Sequence, residues 1–170
     1  IKDDLLNGAA FGGCADLAGD QLIPLNMIGT KYIVVRGFLN APYDKAFILA
    51  TQNNTSVFIN GILTTTIDAG QTYMYSIGTA NAAYIETSTP AYVLHLSGFG
   101  CEVGMSILPS IECTGSSSVT FTRSTNDPLH ITLLVKQGGE NNFLLNGASG
   151  IINGSSFADV PSTSGVWKYA

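Results

Sequence analysis

From Lys31 onward the chain is a succession of short β-branched and aromatic runs, each broken by Gly, Asn or Pro after about eight to twelve residues. A helix cannot be threaded through such a pattern. Its apolar stripe needs a 3.6-residue period over three turns or more, and the breakers arrive sooner than that. Alternation instead follows the period of two that a pleated strand requires. In "QTYMYSI", Tyr73, Tyr75 and Ile77 fall on one face and Met74 and Ser76 on the other. In "AYVLHLSG", Tyr92, Leu94 and Leu96 oppose Val93 and His95. The predicted strands are "QLIPLN", "KYIVVRGF", "AFILATQ", "TSVFIN", "ILTTTID", "QTYMYSI", "AAYIET", "AYVLHLSG", "GMSILPS", "SVTFTRS", "HITLLVK", "NNFLLN" and "VWKYA". Helical patterning is confined to "DDLLNGAAFGG" and to a turn near Ser155–Ala158.

Two of the breaks are Asn-Gly, at "FINGIL" (58–63) and "FLLNGA" (143–148). Both residues tolerate positive φ, which is what a two-residue hairpin loop demands. Aligning these turns sets Phe47–Thr51 against Leu133–Gln137, and Val57 and Ile59 against Phe143 and Leu145. Cys14 precedes "YIVV" by the same step as Cys113 precedes "ITLL". The expectation is an all-β fold: an antiparallel β-sandwich, built as two pseudo-repeated β-lobes or as one large sandwich. Residues 1–112 form the first lobe with its lead-in, and 113–170 the second, packed with it as one module. The second copy stops where the first continues into "AAYIETSTPAYVLHL", so its missing strand either comes from elsewhere or does not exist.

Composition narrows the partners. Charged residues make up 11% of the 170, well below the ~25% of a typical globular chain. Net charge is −5, and no Lys/Arg cluster appears. Nucleic acid and anionic membrane surfaces are thereby disfavoured, since both need a concentrated positive patch. No apolar run reaches the length of a membrane span, so membrane insertion by this stretch is not expected. Chains of this length bury roughly 70% of their unfolded surface, enough for a core without metal. A surface of Ser, Thr, Asn and Gly, in a chain that begins at Ile1, reads as a processed piece of a longer secreted or cell-surface protein, with neighbouring domains.

The three cysteines do not form a zinc site, which needs four ligands at suitable spacing; His95 and His130 are scattered. Cys101 is followed by Glu102 and Cys113 preceded by Glu112, and acidic neighbours raise a thiol's pKa. A Cys101–Cys113 disulfide fits better, closing a short loop between strand ends for roughly 3 kcal/mol; two buried free thiols are the alternative. Cys14 is then the odd one out.

Other chemistry is thin. No GxSxG elbow is present, and His95 with Ser97 defines no catalytic geometry by sequence. Glu102 and Glu112 flank the proposed disulfide and could form the carboxylate pair of a secreted hydrolase, although a solvated pair or an ion pair with Arg123 is the simpler reading. Asp16 and Asp20 are the best metal candidates, but "DLAGD" lacks a dense calcium loop's order, so turn capping is favoured. No catalytic residue and no cofactor are assigned. Loop aromatics on a rigid β-frame are the usual material of recognition, which makes Tyr43, Phe99 and Tyr84 the candidate ligand-binding residues.

The strings "AFILATQNNTSVFING", "DAGQTYMYS", "ETSTPAYVLHLSGFGCEVGMSILPSIECTGSSSVTFTRS" and "NFLLNGASGIINGSSFADVPSTSGVW" resemble the N-terminal domain of the IgG Fc-binding protein family, in its bacterial cell-surface or secreted form. The similarity runs from about Cys14 to Trp167 and is one of pattern, with no single diagnostic motif. It implies an extracellular, non-enzymatic recognition or adhesion module with a protein or glycan ligand at the cell surface. A structural stalk module is the runner-up, ahead of the hydrolase.

Overall fold

The computed structural model describes residues 19–39, 44–100, 102–112, 114–126 and 130–170, apart from the side chain of Glu102. Cys14, Asp16, Tyr43, Cys101 and Cys113 lie outside the described residues, and with them the proposed disulfide. The described chain is all-β, with helical geometry limited to two short 3-10 turns, Leu25–Met27 and Gly154–Ser156. The second falls at the turn read near Ser155–Ala158, where the side chain of Asn153 accepts the Ser155 N–H and caps it. The chain divides into two units, Ile1–Cys113 and Thr114–Ala170.

The first unit is one eight-stranded sheet: β1 (Gly29–Val35), β2 (Phe38–Leu39), β3 (Lys45–Ala50), β4 (Thr55–Ile59), β5 (Ile62–Ile67), β6 (Thr72–Ser76), β7 (Ala82–Gly100) and β8 (Glu102–Ile107). Its organiser is the 19-residue β7. The beginning of β7 lies between β1 and β4, and its later part between β3 and β8. β5 flanks β4 and β6 flanks β3. Every pairing is antiparallel except that of β2 with the end of β7.

The partners change around Ser88–Pro90, where the sequence places a break between two strands. The backbone continues as strand instead. Pro90 has no N–H to give to a ladder, so it is tolerated where one set of partners ends and another begins. Its carbonyl accepts the Thr51 hydroxyl at 2.5 Å. β1 is irregular at the same level, pairing Gly29 with Ala91 but Lys31 with Glu86.

Turning at this point folds the sheet over its own core. Tyr32 and Val34 of β1, Val57 and Ile59 of β4, and Ala83 and Ile85 of β7 pack in one cluster with Ala46 and Ile48 of β3 and Val93 of β7. The Tyr32 phenol is fully buried there and donates to the Ala91 carbonyl at 2.6 Å while accepting the Gly29 N–H. A second apolar layer covers the opposite face of β3 and β7, where Phe47, Leu96 and Leu39 pack with Leu94, Val103 and Met105. Two-sided burial is why "AFILA" reads as nearly continuous apolar sequence. "QLIPLN" forms no strand; Ile23 there supplies a carbonyl to the Tyr92 hydroxyl at 2.5 Å.

The hairpin at Asn60-Gly61 has both residues at positive φ, 51° and 77°, as the dipeptide predicts. Asn60 also ties the turn to β7: its side chain accepts the Tyr84 N–H, and its own N–H donates to the Tyr84 carbonyl.

The second unit is a three-stranded sheet in the order β10 (Ala158–Asp159), β11 (Trp167–Tyr169), β9 (Leu134–Lys136). Asn146-Gly147 repeats the positive-φ turn, at 52° and 82°, closed by paired Leu145 and Ala148. Phe143 stacks on Phe157 at 5.4 Å, and the Lys136 ammonium lies 5.5 Å from the Trp167 ring centre. "SVTFTRS" carries no strand, and "HITLLVK" is a strand only over Leu134–Lys136. Alternation supplies a face, but a strand also needs a ladder to join, and within these two stretches the described sheets take in only Leu134–Lys136, with Leu133 bonded to Ala170 beside them.

Candidate functional site

The parallel pairing of β2 with the end of β7 sets Phe38 beside Phe99. Their ring centres are 6.4 Å apart and tilted by 50°, a favourable offset for two aromatic rings. Both remain largely open to solvent, Phe38 at 56% and Phe99 at 57%, while Leu39 turns inward against Phe47 and Leu96. The alternation of a two-residue strand thus anchors one side chain in the core and presents the other.

Beside this pair, two residues back along β7 and one along the β1–β2 link, lies a buried polar cluster. Asp44 is 2% exposed, at the start of β3, and accepts the Gly37 N–H at 3.0 Å and His95 Nε2 at 3.2 Å. Ser97 is a further hydrogen-bond partner of the carboxylate. Burial, the largest influence, pushes the Asp44 carboxyl up, but the hydrogen bonds from His95, the Gly37 N–H and Ser97 outweigh it and hold the group below the ordinary carboxylate range. Gly37 is required at this crossing. A β-carbon there would stand 2.1 Å from Ser97 Oγ and 3.0 Å from the Gly98 carbonyl. One carboxylate therefore clamps the β1–β2 link to β3 and to β7, just where the aromatic pair is displayed.

An Asp, a His and a Ser do meet here, but in the wrong order for nucleophilic catalysis. A triad needs the histidine between the serine and the carboxylate, so that it can take the hydroxyl proton. Here Asp44 is the hub, bonded to His95 on one side and to Ser97 on the other. The arrangement fastens strands together.

The remaining sequence candidates separate in space. Tyr84, read as a loop aromatic, lies within β7 and is only 9% exposed. Burial and then the adjacent Glu86 carboxylate push its phenol well above the usual value. Asp20 accepts the Gln21 N–H through one oxygen and, through the other, the Ile107 N–H of β8 at 2.7 Å, a long-range tie in place of the turn capping that the sequence suggests. No group of three or more His, Cys, Asp or Glu residues that could hold a metal occurs among the described residues. Glu112 is engaged by Lys31 at 3.8 Å and by the Thr30 hydroxyl. Phe38 and Asp44 were not legible as site residues. Their neighbours come from β7, about fifty residues or more away in sequence, and no local motif announces the pairing.

A protein-family model described as IgGFc binding protein matches residues 6–169. The chain belongs to the IgGFc binding protein family. No curated protein and no solved structure matches it. The family is named for binding, and the match spans both units, so the second unit is part of the family's domain. No described helix is long and apolar enough to cross a membrane.

Proposed function

We propose that this chain is an extracellular recognition module that binds a protein ligand by surface complementarity, without covalent chemistry, as part of a larger secreted or cell-surface protein. The observation that carries this reading is the exposed Phe38–Phe99 pair mounted on a clamped strand crossing. Exposed single apolar side chains are ordinary on protein surfaces; two large aromatics held against each other on rigid backbone are the material of binding hot spots. Tyr43 is kept as a candidate ligand-binding residue on its sequence alone. Tyr84 is left out, because a side chain so deeply buried has little area to offer a ligand. Membership of a family named for IgG Fc binding makes the Fc fragment the first ligand to try.

The test is a biosensor titration of the oxidised protein against purified Fc, alongside Phe38→Ala and Phe99→Ala. Saturable binding weakened at least about tenfold by either change supports the reading, since truncating a hot spot costs about 2 kcal/mol or more. Binding that ignores both substitutions sinks the assigned surface. Absence of binding to Fc and to a panel of glycans and cell-surface proteins leaves the stalk role standing in its place.

A further inference from the structure

The two units share a local plan. In each, a strand leads into a hairpin with a positive-φ Asn-Gly turn, then a glycine at positive φ (Gly70, 82°; Gly165, 77°), then an aromatic strand that pairs back onto the first. The bonds correspond: the Ala50 N–H donates to the Gln71 carbonyl, and the Gln137 N–H to the Val166 carbonyl. β9 therefore stands where β3 stands, and β11 where β6 stands. In β3, the residues at Ala46, Ile48 and Ala50 bond to β6, leaving the backbone groups of Phe47 and Leu49 for the other edge, opposite Leu94 and Tyr92 of β7. In β9, Leu133 exchanges both bonds with Ala170, and Val135 lies opposite Lys168. The N–H and carbonyl of Leu134 and the N–H of Lys136 thus face away from β11, in the places of Phe47 and Leu49, while the Lys136 carbonyl accepts the Gly139 N–H of the following turn. Among the described residues, β9 pairs on one edge only.

Apart from its shortness, three residues, that edge lacks the usual protection. No proline or bulge interrupts Ile131–Gln137, and Ile131 and Leu134 are exposed. Its one charged residue, Lys136, places its ammonium over the Trp167 ring and so on the face of the sheet.

We infer that the outer edge of β9 is a strand-capture site, which takes an extended segment of a protein partner, antiparallel to β9 and apolar at alternate positions, as β7 is taken by β3. Main-chain bonds to Leu134 and Lys136 supply the affinity, and alternate side chains beside Leu134 supply the selectivity. This site shares no residue with the Phe38–Phe99 surface and does not depend on that assignment.

The test is amide hydrogen exchange on the full chain, titrated with a synthetic peptide copying Ala91–Gly98 with terminal lysines added for solubility. Saturating peptide is expected to slow exchange at Leu134 and Lys136 by about tenfold or more, leaving the already bonded amides of Leu133 and Gln137 unchanged. Leu134→Pro removes one outward donor, a change that sheet edges tolerate, and abolishes the slowing at Lys136. Protection at Ala170 reports whether that variant keeps the β9–β11 ladder, with Lys136→Pro as the second variant if it does not. No slowing at millimolar peptide overturns the inference. So does slowing that survives in a folded Leu134→Pro, and so does protection that rises with protein concentration alone, which would assign the edge to a second copy of the chain.

Discussion

Replacing Asp44 tests whether the clamp beside the aromatic pair holds the first unit together. Asp44→Ala removes the acceptor shared by the Gly37 N–H, His95 Nε2 and Ser97. A buried donor left without a partner costs about 1–3 kcal/mol. Counting Gly37 and Ser97 near the low end, and less for His95 because 12% of its side chain already reaches solvent, gives about 3 kcal/mol. With a urea slope of about 2 kcal/mol per molar, the midpoint should fall by about 1.5 M. The assay must follow the right unit. The only tryptophan, Trp167, belongs to the second unit, whereas all but one of the seven tyrosines, Tyr169, belong to the first. Near-ultraviolet circular dichroism of tyrosine therefore reports the clamp, and tryptophan fluorescence serves as the internal control. The pH dependence carries a fixed sign. The folded carboxyl titrates below its unfolded value of about 3.9, so in the window between them the unfolded chain binds a proton that the folded chain does not. The contribution is complete above that unfolded value and disappears as pH falls through the folded one. Asp44→Asn should flatten this acid-side loss and lower the midpoint at pH 7 by about half as much as alanine, since one oxygen acceptor remains. A midpoint for Asp44→Ala within about 0.3 M of the parent would refute the reasoning, because it would mean that the three donors find equal partners without the carboxylate.

Tyr32→Phe keeps the ring but deletes the hydroxyl that bridges Gly29 and Ala91 at the turn of β7; the tyrosine signal should show a loss of about 1–3 kcal/mol in urea, and an unchanged midpoint would remove the phenol from the account. Thiol titration of denatured, unreduced protein should find one reactive cysteine of the three, with Cys101 and Cys113 appearing after reduction and stability dropping by roughly 3 kcal/mol; three free thiols would dispose of the bridge.

What the sequence made legible was local. Period-two alternation placed β3 through β6 to within a residue or two, because each stands between strong breakers, and β3 and β4 also bury one or both faces. Both Asn-Gly turns adopt the positive φ that the dipeptide prefers. The failures share one cause. Ser88–Pro90 looks like a break, yet β7 runs through it, since a proline lacking an N–H is harmless where ladder partners are exchanged. "SVTFTRS" looks like a strand, yet it belongs to neither described sheet, and strand propensity alone does not make a ladder. The candidate site divided in the same way. Phe99 was legible as an exposed aromatic, whereas Phe38 and Asp44 gain their roles only through pairing with a distant strand.

The same strand that closes the core also aims the site. Ala83, Ile85 and Val93 of β7 lie in the buried cluster, and His95, Ser97 and Phe99 follow on one continuous backbone. Phe99 cannot be displaced without disturbing its pairing with β2 and β8, and β2 is in turn tethered through Gly37 to Asp44. A ligand meeting Phe38 and Phe99 therefore meets side chains whose backbone is already ordered, and little further ordering is charged against the contact. The edge of β9 obeys the opposite logic. Its affinity has to come from main-chain bonds made on arrival, so an incoming segment loses its own conformational freedom there. Binding at the aromatic pair should accordingly respond mainly to side-chain truncation, and binding at β9 to the removal of a single backbone N–H.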